Sequence, residues 1–426
     1  MLKNFFLLLL LLVSARAANS QDTISVMNYN LLYYGYYTDF CTYENNNVDV
    51  KAQNLHTIIN YFRPDVFTVC ELGRNASTAD HLLNNALNKN DIDFYARAAY
   101  TNTANSSIVN MLYYNTNKFG LVSQAIPSNI LRDINLYKLY YKAEDLAQTN
   151  DTIFLVCIVA HLKAGSTADD QQVRTNMINS MMTYIDYFNY RGNIMFMGDF
   201  NMNSSYETAY QQLLYYTNNS DIRFNDPINK PGQWYNNSSM AMYHTQSTRS
   251  GSASCFVTGG LDDRYDLILV SNDLLSGNRG FKYIPDSYIA IGQDGQRFNM
   301  SLIDPPNYSQ PPEIINALYY FSDHLPVVLK LEITENQTTH TSNNFVTKNY
   351  FRFNNPVRDV LEIVVNFDDF FKGKITILDL LGNRILSSEI NEIHNIINVS
   401  DLLPGLFVIM FEAENKIMHV DKFVKI

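Results

Sequence analysis

The sequence predicts an α/β layered unit built on β-sheets, followed by a small all-β module. Three observations carry that expectation. A strand–helix–strand pattern occurs twice in the first half of the chain. Polar residues able to do chemistry stand at the mouths of several apolar runs. Near residue 335 the character changes to a polar linker and then to short strands broken by turn residues.

The chain opens with MLKNFFLLLLLLVSARAANSQ. Lys3, an apolar core from Phe5 to Val13 and small residues over Ala15–Ser20 read as a cleaved secretory signal, 1–20, too short to span a bilayer. TISVMNYNLLY (23–33) is the first expected strand. In DVKAQNLHTIINYFRPD, Leu55, Ile58, Ile59 and Phe62 share one helical face, and Pro64 ends the helix. DVFTVCEL follows as a strand. The pattern then recurs: IFLVCIVA as strand, DDQQVRTNMINSMMTYIDYFNYRG as helix, IMFM as strand. In this second helix Val173, Met177, Met181, Tyr184 and Phe188 form the expected apolar stripe. DLILV (266–270) and PVVLKLEI (326–333) are further strands. No later segment is long and apolar enough to cross a membrane.

ENQTTHTSNN reads as the linker, placed at 336–344 between a catalytic unit, 21–335, and a tail module, 345–426. In the tail, NPVRDVLEIVVNF, GKITILDLLGNRILSS, NIINVSDLLPGLFVIMF and HVDKFVKI are short strands with turns between them. None of these carries a carboxylate–histidine constellation.

Composition bounds the chemistry. Of 426 residues, 46% are hydrophobic and 17% charged, enough to fill a core. The formal net charge of −11 argues against a basic surface that wraps nucleic acid. It leaves room for an enzyme that touches few phosphates and relies on a metal cation for the rest. Cys70 and Cys157 lie in strand-like runs and read as buried thiols. Cys41 and Cys255 lie in polar loops and are free to pair in an oxidising compartment. No Cys/His spacing suggests zinc.

The strand mouths collect a specific set of groups. Asn30 ends the first strand, Glu71 the second, His161 the run IFLVCIVA. Asp199 and Asn201 follow IMFM, where Gly198 lets the chain surface. Asp266 opens DLILV, and Asp323 and His324 stand just before PVVLKLEI. Some of these follow their strands and others precede them, so a common site requires strands in both directions and hence mixed or antiparallel sheets. Asn30, Glu71 and Asp323 offer hard oxygen ligands suited to Mg²⁺, Mn²⁺ or Ca²⁺. Two histidines suit proton transfer and stabilisation of developing negative charge. Asp199 and Asp266 are placed to orient a histidine or a water. Metal-dependent hydrolysis of a phosphoester uses all these parts, and no nucleophile elbow, P-loop or dinucleotide fingerprint competes.

In this order the residues resemble the endonuclease/exonuclease/phosphatase superfamily, the deoxyribonuclease I-like fold, over roughly residues 22–333. ISVMNYNLLYYG, PDVFTVCEL, VAHLKAG, MGDFNMNSS, RYDLILVS and FSDHLPVVLKL carry the resemblance, with GDFN and SDHxPV its most specific parts. It implies a four-layer sandwich, two mixed β-sheets flanked by helices. It implies metal binding by Asn30, Glu71 and Asp323, and catalytic roles for His161, Asp199, Asn201, Asp266 and His324. LRDINLYKL is similar to the strand carrying a phosphate-contacting arginine, here Arg132. The stretch after ANSSIVNMLYY does not clearly show the family's second acidic site residue, and that role stays open. The long span 225–265 offers Arg249 and Arg264 as further phosphate contacts, with a salt-bridged loop as the alternative.

The tail resembles the C-terminal sorting domain of the type IX secretion system, which implies export to the cell surface or medium and that machinery as a partner. Beside that tail, the N-x-S/T sequons at Asn75, Asn105 and Asn236 reflect an Asn-rich composition. The expected function is a secreted, Mg²⁺- (or Mn²⁺/Ca²⁺-) dependent nuclease acting on extracellular DNA or RNA. The alternatives are a phospholipid or sphingolipid phosphodiesterase or a sugar- or nucleotide-phosphate phosphatase on the same scaffold, and a non-catalytic surface binding protein.

Overall fold

The structure is a computed structural model. It describes residues 23–143, 152–251, 255–334, 351–353, 355–365, 373–379, 383–390, 394–413 and 416–426. The expected leader and linker lie outside the described residues. Strands β1 (Thr23–Tyr34), β2 (Val66–Gly73), β3 (Tyr95–Arg97), β4 (Ile108–Asn115), β5 (Phe119–Ser128), β6 (Ile134–Tyr141), β7 (Phe154–His161) and β8 (Ile194–Asp199) come first. β9 (Phe224–Asn225), β10 (Asp266–Ser271), β11 (Phe281–Tyr283), β12 (Ile289–Ala290) and β13 (Val327–Ile333) complete the large unit.

These strands form two mixed sheets. One has the order β11-β13-β1-β2-β4-β3, with β12 also on β13; the other has the order β5-β6-β7-β8-β10-β9. Each contains one parallel pair, β1 with β2 and β7 with β8, among antiparallel neighbours. A parallel pair needs a crossover, and each crossover is one of the two expected helices. Val48–Phe62 starts where the Asn47 side chain accepts from the N–H groups of Asp49 and Val50, and ends at a left-handed Arg63 before Pro64. Ala168–Tyr187 starts at a capping box between Thr167 and Asp170.

Side-chain alternation sorts the second sheet into two faces. Leu139, Cys157, Val159, Met195, Met197 and Ile268 join the cluster between the sheets. Leu136, Val156, Ile158, Phe196 and Leu267 join Met177, Met181 and Ile185 under the helix Ala168–Tyr187. On the outer face of the first sheet, Leu55, Ile58 and Ile59 pack with Leu318 of the helix Pro312–Phe321. The result is helix, sheet, sheet, helix, the four-layer arrangement. The expected stripe on the second helix is rotated: Met177 and Met181 are buried as expected, together with Ile178, Met182 and Ile185, while Val173 and Tyr184 are only partly buried.

The tail, described by itself, has a three-stranded sheet, β14 (Phe351–Phe353), β15 (Val360–Val365) and β18 (His394–Asn398). A four-stranded sheet comprises β16 (Gly373–Leu378), β17 (Arg384–Ile390), β19 (Gly405–Ala413) and β20 (Lys416–Lys425). Leu361, Ile363, Ile375, Ile377, Ile409 and Phe423 share one core drawn from both sheets. Among the described residues no helix is long and apolar enough to cross a membrane.

Candidate active site

Register brings the polar residues together. In the second sheet Asp199 pairs with His161 on its parallel side and with Asp266 on its antiparallel side. The approach of β8 to β7 depends on Gly198, which is buried inside the strand rather than at a surfacing turn. A Cβ there would lie 1.8 Å from the Ala160 carbonyl oxygen, and its φ of +146° disfavours any other residue. In the first sheet, register shifts between Asn30 and Tyr34 and between Val69 and Leu72 mark a bulge at Glu71. Glu71 is left-handed (φ 58°), as are Leu32 (46°) and Tyr33 (53°) opposite it. The bulge turns the Glu71 carboxylate out of the strand alternation and toward the other sheet.

Asn30, fully buried, then spans the gap. Its Nδ2 donates to Glu71 Oε1 at 3.1 Å and to Asp199 Oδ2 at 2.9 Å, while its Oδ1 accepts from the Leu32 N–H at 3.0 Å. Glu71 Oε2 accepts from the Tyr33 N–H. His161 Nε2 stands 3.5 Å from Asp199 Oδ2 and 3.9 Å from Glu71 Oε1. One ligand atom each from Glu71, His161 and Asp199 lies within 4.8 Å of the others.

His324 forms the second half of the site. Its Nδ1 lies 2.7 Å from Asp266 Oδ2, which also accepts from the Thr245 hydroxyl. Its Nε2 lies 3.8 Å from Asp199 Oδ2 and 2.8 Å from the Gln246 amide nitrogen. Gln246 Nε2 and the Val257 N–H also approach Asp323 Oδ2, at 3.2 and 3.1 Å. Ser322 ties this corner to the first sheet: its hydroxyl donates to the Asn30 carbonyl and accepts from the His324 N–H. Lys51, buried in the first helix, donates to the carbonyls of Leu32 at 3.0 Å and Phe321 at 2.7 Å.

The electrostatics are those of crowded anions. Burial, then Asp323, pushes the Glu71 carboxyl up to about 7 against the pull of His324 and Asn30. Burial, opposed by His324, lifts Asp199 to about 6. Burial lowers His161 well below the ordinary histidine value, and Arg132 and His324 add to it, so this ring is neutral and free to ligate. Burial would lower His324 too, but Asp266, then Asp199 and Asp323, hold its imidazolium well above that value. The Gln246 amide pulls the other way, since its NH₂ presented to Nε2 suits a neutral ring and Asp323 keeps the amide turned so. A divalent cation fits this donor set. Two carboxylates and a neutral imidazole converge, and buried Asp323 Oδ1, Asp266 Oδ1 and His161 Nδ1 have no hydrogen-bond partner.

The site residues expected from the sequence fare unequally. Asn30, Glu71, His161, Asp199, Asp266, Asp323 and His324 converge. Of the three expected metal ligands only Glu71 belongs to the group of three; Asn30 turns its nitrogen to the carboxylates, and Asp323 is held by Gln246 and Val257. Asn201, left-handed at φ 50°, points its amide at the Leu162 carbonyl, 3.4 Å away. Arg132 sits in the turn before β6 rather than in the strand, and reaches the carbonyls of His161 and Leu162 at 3.4 and 3.1 Å. Arg249 and Arg264 are not brought in. Arg249 lies between the rings of Phe256 and Tyr319, 3.9 and 4.0 Å from their centroids, and donates to the Tyr319 carbonyl. Arg264, 1% exposed, is paired with Asp226 through two bonds of 2.8 Å. Arg264 is thus salt-bridged within the fold, whereas Arg249 is held by aromatic rings and a carbonyl. Cys41 and Cys255 are disulfide-bonded, and Cys70 and Cys157 are buried free thiols.

Gln246, Thr245 and Lys51 escaped the sequence reading. Gln246 and Thr245 lie in an aperiodic loop, and Lys51 looks like a surface position on its helix until its two carbonyl partners are seen.

Residues 353–426 match the family model described as secretion system C-terminal sorting domain. The chain carries a sorting domain. That domain coincides with the all-β tail, while the carboxylate–histidine site lies wholly in the unit before it. No curated protein matches the chain. Among solved structures, the chain is similar to the endonuclease/exonuclease/phosphatase from Bacteroides vulgatus, at 13% identity over 74% of this chain and 100% of that one, TM-score 0.44. It is similar to D. rerio TDP2 complexed with single strand DNA product (13%, 73% and 99%, 0.44) and to the human Nocturnin catalytic domain with bound sulfate (14%, 74% and 98%, 0.43). These TM-scores lie below 0.5, and the site before the sorting domain rests on its own geometry.

Proposed function

We propose that the protein is an exported, divalent-metal-dependent phosphodiester hydrolase. The observation that carries this reading is the convergence of Glu71, His161 and Asp199 within 4.8 Å beside the buried Asp266–His324 pair. In this reading the three converging residues hold the ion, and Asn30 keeps both carboxylates aimed at it. When bound, the ion supplies neutralisation of charge on the phosphate oxygens. In the same reading Arg132, which borders the site through the His161 and Leu162 carbonyls, contacts a phosphate from the protein side. Asp266 fixes the tautomer and orientation of His324, whose Nε2 then exchanges a proton with the attacking water or the leaving oxygen.

The chain is organised as an export signal, 1–20, a catalytic unit, 21–335, a linker, 336–344, and a sorting module, 345–426, served by the type IX machinery. Extracellular DNA or RNA is the substrate that the sequence favours, and other phosphodiesters fit the same chemistry. The test is hydrolysis of bis(p-nitrophenyl) phosphate, plasmid DNA, RNA and sphingomyelin with and without EDTA. EDTA, Glu71→Gln and His324→Ala should each lower the rate on the accepted substrate by about 10²-fold or more, with the fold intact by circular dichroism. Full activity in either variant would overturn the assignment.

A further inference from the structure

Three loop tips around the mouth of the site are apolar and exposed. In the loop after β1, Phe40 is 77% and Tyr43 53% exposed. The Cys41–Cys255 disulfide joins this loop to a second, where Val257 is 52% exposed and its backbone N–H is bound to Asp323 Oδ2. In the turn between β5 and β6, Ile130 and Leu131 are 39% and 44% exposed, and the next residue is Arg132, bound to the carbonyls of His161 and Leu162. Leu131 is also left-handed (φ 66°), a conformation that costs a leucine energy and gains it no burial. The Val257 and Ile130–Leu131 tips thus stand at or within two residues of direct contacts to the site, and the disulfide ties the Phe40–Tyr43 loop of the other sheet to the first of them.

The charge of these loops narrows what they meet. Residues 33–47 contain no Lys, Arg or His but include Asp39 and Glu44; residues 255–263 contain none and include Asp262 and Asp263. The turn 129–133 adds Arg132 beside Asp133. A polyanion would need a row of cations along this rim, and so would an anionic membrane. A zwitterionic lipid surface needs none, because shallow insertion of apolar side chains is enough to hold a protein there.

We infer that this rim seats the protein on a zwitterionic lipid surface, and that the phosphodiester it presents to the site is that of a membrane lipid. The inference rests on the phosphodiesterase reading for its chemistry, but not for the seating itself. The experiment uses the full chain and vesicles of phosphatidylcholine, alone or with sphingomyelin, in a sedimentation assay. Hydrolysis of bis(p-nitrophenyl) phosphate is followed in parallel. The wild type should sediment with both kinds of vesicle. Phe40→Ser/Tyr43→Ser and Ile130→Ser/Leu131→Ser should each weaken that partition by roughly tenfold or more. Both should hydrolyse the soluble diester at the wild-type rate, which also shows that they are folded. Absence of sedimentation by the wild type, or undiminished sedimentation of both variants, overturns the inference. So does loss of binding to an oligothymidylate in the variants, which would assign the rim to unpaired bases. Failure of the wild type to hydrolyse any diester while it still sediments overturns the phosphodiesterase reading and leaves the seating standing.

Discussion

Glu71 is held in a conformation that its residue type seldom adopts. With Leu32, Tyr33 and Asn201 it makes a cluster of left-handed, non-glycine residues around one site. Such strain persists where surrounding bonds over-determine it, and here the Tyr33 N–H and the Asn30 amide supply those bonds. The same residue sets a pH dependence. The Glu71 carboxyl is raised from 4.5 to about 7 and that of Asp199 from 3.8 to about 6, first by burial in both cases. A folded-state pKa raised above the unfolded one contributes stability that is fully present at low pH and lost as pH rises through the raised value. The metal-free protein should therefore melt at lower temperature as pH rises from about 4 to 7. Mn²⁺ or Mg²⁺ needs the ionised carboxylates, so its affinity should rise over the same window and its binding should release protons near pH 6. Calorimetry in two buffers of different ionisation enthalpy reads that release directly. Equal heats in both would show that Glu71 and Asp199 do not take the ion.

At the scale of elements, the informative contrast lies between strand ends and the long loop 245–264. The strands with chemistry at their mouths were legible because an apolar run of four to eight residues that stops at a carboxylate or histidine is a local pattern. β3, β4 and the β5–β6 hairpin were less so, since their tyrosines and scattered polar residues give no clean alternation. The loop was opaque. It is organised by distant partners: Gln246 by Asp323 and His324, Arg249 by Tyr319, Arg264 by Asp226. Arginines near a phosphate site look alike in sequence whether they face substrate or pack inward. Arg264 gives the test. Arg264→Met would leave Asp226 buried without its charge partner, and should cost about 3–5 kcal/mol in denaturant unfolding. A loss under about 1 kcal/mol would mean that the pair is not the anchor of this loop.

At the scale of the molecule, the site draws on two sheets, each with one parallel pair, and on the loops that connect them, while the tail keeps a core of its own from Val357 to Phe423. Because the site's polar contacts among the described residues all fall before residue 335, residues 21–335 alone should hydrolyse a soluble diester within about twofold of the full chain, as expected for a unit with its own core. The same truncation should abolish export by a host that secretes the full chain. A truncated form that is folded but inactive would place part of the active site in the tail. Local order of residues determined much here: the apolar runs, the two crossover helices, the candidate groups at strand mouths and the sorting tail. Tertiary structure alone decided which atoms meet. The bulge that swings Glu71 across to Asp199, the Gly198 approach that aligns His161, and the loop that lays Gln246 against His324 all depend on pairings between residues far apart in the chain. Such pairings are set by register and packing between sheets, and no local pattern encodes them.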